Sequence, residues 1–237
     1  MKYYRGAQQR GHVNFDWLDS YHTFSFGNYY APQHMGFSAL RVINDDTVAP
    51  GAGFATHAHR DMEIISYILE GEIEHKDSMG NHFVVKQDEV QIMSAGTGIT
   101  HSEYNGSETS RLKFLQIWVQ PNVRGLKPGY QQKAIPQSAP LTALVTADGR
   151  NGSLIMHQDA SIYRVKLSAE KAQGLSTENR FGYLHIVRGE AAMQLESNEN
   201  YNLVNGDGFG VGENTDLTIL SKSDNFEALW FDLPPHD

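Results

Sequence analysis

The 237-residue chain contains no cysteine. That absence excludes disulfides, thiolate nucleophiles, iron–sulfur clusters and cysteine-held zinc together, so any metal must be held by histidine and carboxylate. Basic charge is also scarce. The 19 Lys and Arg stand against 28 Asp and Glu, a formal charge of −9, which would repel phosphate backbones and argues against direct nucleic-acid binding. No apolar run reaches the ~20 residues of a membrane span, Phe114 to Val119 being a typical short one. With a polar N-terminal stretch as well, the expected location is cytoplasmic, with no membrane partner. Gly-x-Ser-x-Gly is missing, so a serine hydrolase would lack its nucleophile elbow. Helix signals are sparse, the clearest being a short candidate over Ala169 to Gln173, ended by Gly174.

Strand signals recur throughout. Phe37 to Asp46, Met62 to His75, the run from His82, Arg111 to Pro121 and Phe226 to Pro235 are apolar or alternating and bounded by Gly-rich or polar turns. Many short strands with such turns predict an all-β sandwich or barrel of the jelly-roll type. A weak repeat adds to this. Glu70-Gly71-Glu72 is answered 118 residues later by Arg188-Gly189-Glu190, and the stretch from Val84 by that from Leu203 at a separation of 119. Two tandem β modules follow, joined through the Pro- and Gly-rich Gln120 to Pro140. The predicted domains are 1–132 and 133–237, with the last strand able to pack back on the first domain.

The histidines carry the chemistry. His57 and His59 stand two apart in "FATHAHRDMEI", and side chains at i and i+2 of a strand share a face. About 40 residues on, His101 and Glu103 repeat the spacing after a Gly-rich turn. If the two strands are neighbours, three imidazoles and one carboxylate converge. Burying them unpaired would cost a few kcal/mol per group, a conflict that a divalent metal removes. Three nitrogens and one oxygen suit Fe²⁺, Mn²⁺, Ni²⁺, Cu²⁺ or Zn²⁺, and on a six-coordinate ion they leave two positions open. Elsewhere the histidines carry no such pattern: His22, His75 and His82 read as surface residues, and His157 and His185 as isolated rings. The aromatic stretch Trp17 to Tyr30 could wall a pocket, but aromatics in a β protein are more often core, and it is assigned no site role.

Residues Gly51 to Gly71, with His57-x-His59 and Glu63, resemble the first cupin motif, and Gly98, His101 and Asn105 the second. Gly96 and Val90 stand where the second motif usually has Pro and Gly. The segments "LDSYHTFSFGNYY", "MGFSALRVINDD", "HAHRDMEIISYILEGEIEHKDSMG", "IMSAGTGITHSEYN" and "FDLPP" resemble the pirin branch more closely. The resemblance implies a bicupin whose N-terminal half holds one divalent metal on His57, His59, His101 and Glu103. Iron is the expected ion, with Mn, Ni, Cu, Zn or Co as alternatives. It also implies Glu103 rather than Glu63 as the carboxylate ligand, leaving Glu63 to orient an imidazole, and a C-terminal half without ligands, since Gly174 to Arg180 has no histidine where the first half has His-x-His.

The implied activity is that of a dioxygenase opening an aromatic, chelating flavonol such as quercetin with O₂ and releasing carbon monoxide, Glu103 acting as the catalytic base. The implied alternative is an iron-dependent regulator that contacts a transcription factor or metabolic enzyme without turnover. A monomer is expected under the first reading and a protein partner under the second.

Overall fold

A computed structural model describes residues 2–235. Strands dominate it, and the only helices among these residues are two single 3₁₀ turns, Ala7–Gln9 and Arg150–Gly152. The helix expected at Ala169 to Gln173 does not form. Glu170 has a φ of +59°, which breaks any right-handed turn, and a five-residue segment is too short to offset helix nucleation. Ala172–Ser176 is instead a strand paired with Asp216–Ser221.

The chain divides into two compact units, one of Gly11–Pro136 with Leu154–Gln158, the other of Met1–Arg10, Gln137–Ser153 and Asp159–Asp237. The main break, between Pro136 and Gln137, falls in the Pro- and Gly-rich stretch. Lys2–Arg5 belongs to the C-terminal unit because it pairs with Gly208–Val211, and Phe226–Leu233 lies inside that unit between Phe181–Arg188 and Ser161–Leu167.

Each unit is a pair of antiparallel sheets of the cupin type. In the N-terminal unit the large sheet is ordered Gly129–Ala134, Glu89–Ser94, Glu63–Glu70, Leu112–Val119, Leu40–Val48, Leu18–His22, Gly11–Asn14. The small sheet is ordered Gly53–His59, Ile99–Asn105, Glu72–Asp77, His82–Lys86. Period-two burial defines the inner faces: along Glu72–Asp77 the buried residues are Ile73 and His75. Leu18, Val48, Ile68, Ile73, Val85, Leu112 and Phe114 fill one part of the interior, and Ile64, Met93, Ala95 and Ile99 another.

The C-terminal unit repeats the plan. Its small sheet runs Ala172–Ser176, Asp216–Ser221, Glu190–Leu195, Asn200–Val204. Gly71 and Gly189, the centres of the sequence repeat, make the same turn with φ of +78° and +79°, a conformation that favours glycine.

Candidate metal centre

Gly53–His59 and Ile99–Asn105 are neighbours in the small sheet, and their register sets His101 directly across from His57. Alternation brings His59 to the same side. Ring centroids lie 4.8 Å apart for His57 and His59, 4.5 Å for His57 and His101, and 4.9 Å for His59 and His101, and one nitrogen from each falls within 4.8 Å of the others. A register shift between His101 and Glu103 marks a bulge, a common device for re-aiming a side chain beside a site. On its other side Ile99–Asn105 pairs with Glu72–Asp77, Glu103 across from His75. His75, His101 and Glu103 form a second close group, again within 4.8 Å.

The donors are prepared for a cation. Burial, reinforced by the neighbouring His57 and His75 rings, pushes His101 down to about 3, and burial together with His101 and His57 pushes His59 down to about 4. Both rings are therefore neutral at neutral pH, the form that offers a lone pair. Neither nitrogen of His101 has a hydrogen-bond partner although the residue is 1% exposed, an orphaned polar group of the sort a metal would satisfy. His57 donates from Nδ1 to the Ala55 carbonyl at 2.8 Å, leaving Nε2 free to ligate. Glu103 is gripped from the facing sheet: the Ser66 hydroxyl donates to Oε1 at 3.2 Å and the Gln116 amide to Oε2 at 2.9 Å. Ser66 and Gln116 are register partners on adjacent strands, which sets both on the face opposite the histidines. Nitrogen and carboxylate donors of this kind suit a divalent transition metal.

A cavity of about 350 Å³ opens onto the group. Trp17, Phe26, Phe54 and Trp118 give it aromatic walls, and His57, His59 and Glu103 line it. Trp118 also meets the His59 ring edge-on at 5.0 Å.

Several sequence readings change here. His75 is fully buried rather than superficial: its Nε2 lies 3.1 Å from Asp77 and its ring 5.4 Å from His101. Alternation in "EIEHKD", in phase with buried Ile73, is the signal that reveals it. His22 is also buried and lines the cavity. His82 fits its surface reading, exposed beside Glu74 at 2.7 Å. The aromatic stretch denied a site role contributes Trp17, Phe26, Gly27 and Asn28 to the wall. Glu63 is not placed against a candidate ligand ring: at 2% exposure it accepts from Ser94 at 2.8 Å and lies 3.4 Å from His157. His157 is thus partnered, whereas His185 is buried in the C-terminal unit, where desolvation pushes it down to about 3.

Residues 4–119 match the Pirin family and residues 143–233 the family described as the quercetinase C-terminal cupin domain. A relative from Escherichia coli K12 is 46% identical, covering 99% of this chain and 100% of its own. The chain belongs to the pirin family. That Escherichia coli pirin relative is named quercetin 2,3-dioxygenase. A crystal structure of the bacterial pirin YhhW in complex with nickel(II), also from Escherichia coli, is 45% identical, covers 99% of this chain and 100% of that one, and superposes with a TM-score of 0.92. Escherichia coli YhaK is 29% identical over 89% of this pirin chain and 92% of its own, with a TM-score of 0.77.

Proposed function

We propose that the chain is a metal-dependent dioxygenase that opens a flavonol such as quercetin, taking up O₂ and releasing carbon monoxide, with His57, His59, His101 and Glu103 as metal ligands. The observation that carries this reading is the aromatic-walled cavity lined by His57, His59 and Glu103, with the buried His101 within 4.8 Å of donor atoms on all three. The name of the Escherichia coli relative and the nickel(II) in the related structure support it. Iron remains the ion expected in the cell.

Bound there, the metal would supply Lewis acidity that stabilises the substrate's enolate and open positions for exchange. The protein does the rest. His59 and His101 stay neutral, His57 is held through its Nδ1 by the Ala55 carbonyl, and Glu103, steadied by Ser66 and Gln116, takes the proton of the substrate hydroxyl. Phe54, Trp17 and Trp118 hold the flat ring system and limit water at the reacting face. An open cavity favours catalysis over a purely regulatory role, for which a closed metal site would serve better.

The test is protein stripped and reloaded with Fe²⁺, Mn²⁺, Ni²⁺ or Cu²⁺, mixed with quercetin in air. Flavonol loss with carbon monoxide release by at least one form is expected. Absence of turnover in every form shown to hold its metal would contradict the proposal and redirect attention to a regulatory protein partner.

A further inference from the structure

Asp46 is a buried titratable group of the cavity that the chemistry above leaves unused. It sits on Leu40–Val48, where alternation turns Asn44 and Asp46 to the same side, and both line the cavity with His57, His59 and Glu103. Asp46 is 3% exposed. Ser20 donates its hydroxyl to Oδ1, while the strand's ion pair joins Lys113 to the neighbouring Asp45. Burial, with smaller contributions from Asp45 and Glu103, pushes the Asp46 carboxyl up to about 7. Holding a carboxylate here is costly.

Two further acceptors lie close by in the register. Gln116 is directly across from Asn44, and its amide nitrogen is committed to Glu103, so its oxygen is the free end. That oxygen and Asn44 Oδ1 are buried without partners. An apolar cavity thus carries a polar end made of acceptors, which suits hydroxyl hydrogens at that end of a ligand and disfavours negative charge there.

The fold itself does not demand these residues. Asp46 stands opposite Phe114, itself opposite Ile68. In the other unit Val165 stands opposite Ala228, itself opposite Ile186, and Ile186 follows Ile68 by the 118 residues of the repeat. Where one unit has Asp46 the other has valine.

We propose that Asp46 recognises a hydroxyl of the bound aromatic ligand other than the chelating one, so that the cavity selects polyhydroxylated rings over singly hydroxylated ones. Choosing a flavonol as that ligand rests on the function proposed above; the acceptor chemistry does not.

The test is calorimetric titration, under argon, of metal-loaded wild type and Asp46→Asn with quercetin and with 3-hydroxyflavone, which keeps the chelating group and lacks every other hydroxyl. Wild type should favour quercetin by ~10-fold or more, the worth of a charge-assisted hydrogen bond. In Asp46→Asn, Ser20 keeps the amide oxygen and the amide nitrogen faces the cavity. The preference should fall at least threefold, with 3-hydroxyflavone binding little changed and a Tm no lower than that of wild type. A preference that survives in the variant, equal losses for both ligands with a lowered Tm, or no preference in wild type would each overturn the proposal. The last needs no variant, and Asp46→Ser repeats the comparison if Asp46→Asn does not fold. Asp46-dependent binding without turnover would sink the dioxygenase reading alone, whereas turnover with no hydroxyl preference would sink this proposal alone.

Discussion

The two units share a register and differ in what that register carries inward. Reading across the small sheets, His57 pairs with His101 as Leu175 pairs with Leu217. His101 pairs with Asp77 as Leu217 pairs with Leu195, and Glu103 with His75 as Ile219 with Met193. In the large sheets, Asn44, Gln116, Ser66 and Gln91 form a cross-strand row. Its counterpart is Tyr163, Trp230, Leu184 and Phe209. All of these C-terminal residues belong to one apolar cluster or pack against it. One scaffold therefore serves as a polar, ligand-ready interior in one unit and as a close-packed core in the other. The backbone supplies convergence; side chains decide whether what converges is a site.

The comparison breaks most sharply at its centre. His101→Leu installs the residue of the other unit and should lower metal affinity by more than the ~100-fold that loss of an outer partner typically costs, while metal-free protein keeps or gains thermal stability; elemental analysis and calorimetry read the two. The reverse exchange, Leu217→His, buries a ring with no partner in an apolar cluster. It should cost about 2–4 kcal/mol in denaturant unfolding and recruit no metal. Gln116→Leu removes one of the two groups that orient Glu103 and should weaken metal binding ~10–100-fold without unfolding the protein.

Smaller effects sharpen the picture. In metal-free protein the folded His59 and His101 titrate near 4 and 3 against 6.5 in the unfolded chain. The unfolded state then binds more protons between those values, so stability falls as pH drops from about 6.5 towards 3. His101→Leu should flatten that slope. Glu63→Ala breaks the contacts to Ser94 and His157 and should cost about 1–3 kcal/mol while leaving most of the metal in place. Complete metal loss there would mean that Glu63, rather than Glu103, is the ligand.

Much of this was legible in the sequence because strand periodicity is local. The spacing of His57 with His59 and of His101 with Glu103 is enough to pair them on faces, and the Gly71 and Gly189 repeat announces two modules. What remained hidden depends on which strands become neighbours. Ser66, Gln116 and Asp46 lie on different strands of the large sheet, and nothing local marks them as sharing an interior with His101. His75 shows a different failure: its alternation is visible, yet a polar type near a turn reads as surface. The aromatic run from Trp17 follows the same rule, since a ring lining a cavity and a ring filling a core leave the same trace in sequence.

The most direct test of the central claim is the ratio of carbon monoxide released to flavonol and O₂ consumed, measured side by side for metal-loaded wild type and for His101→Leu taken through the same loading. Wild type should release one carbon monoxide per flavonol and per O₂ consumed, and the variant only background. Equal release by the two proteins, or flavonol loss without carbon monoxide, would contradict it.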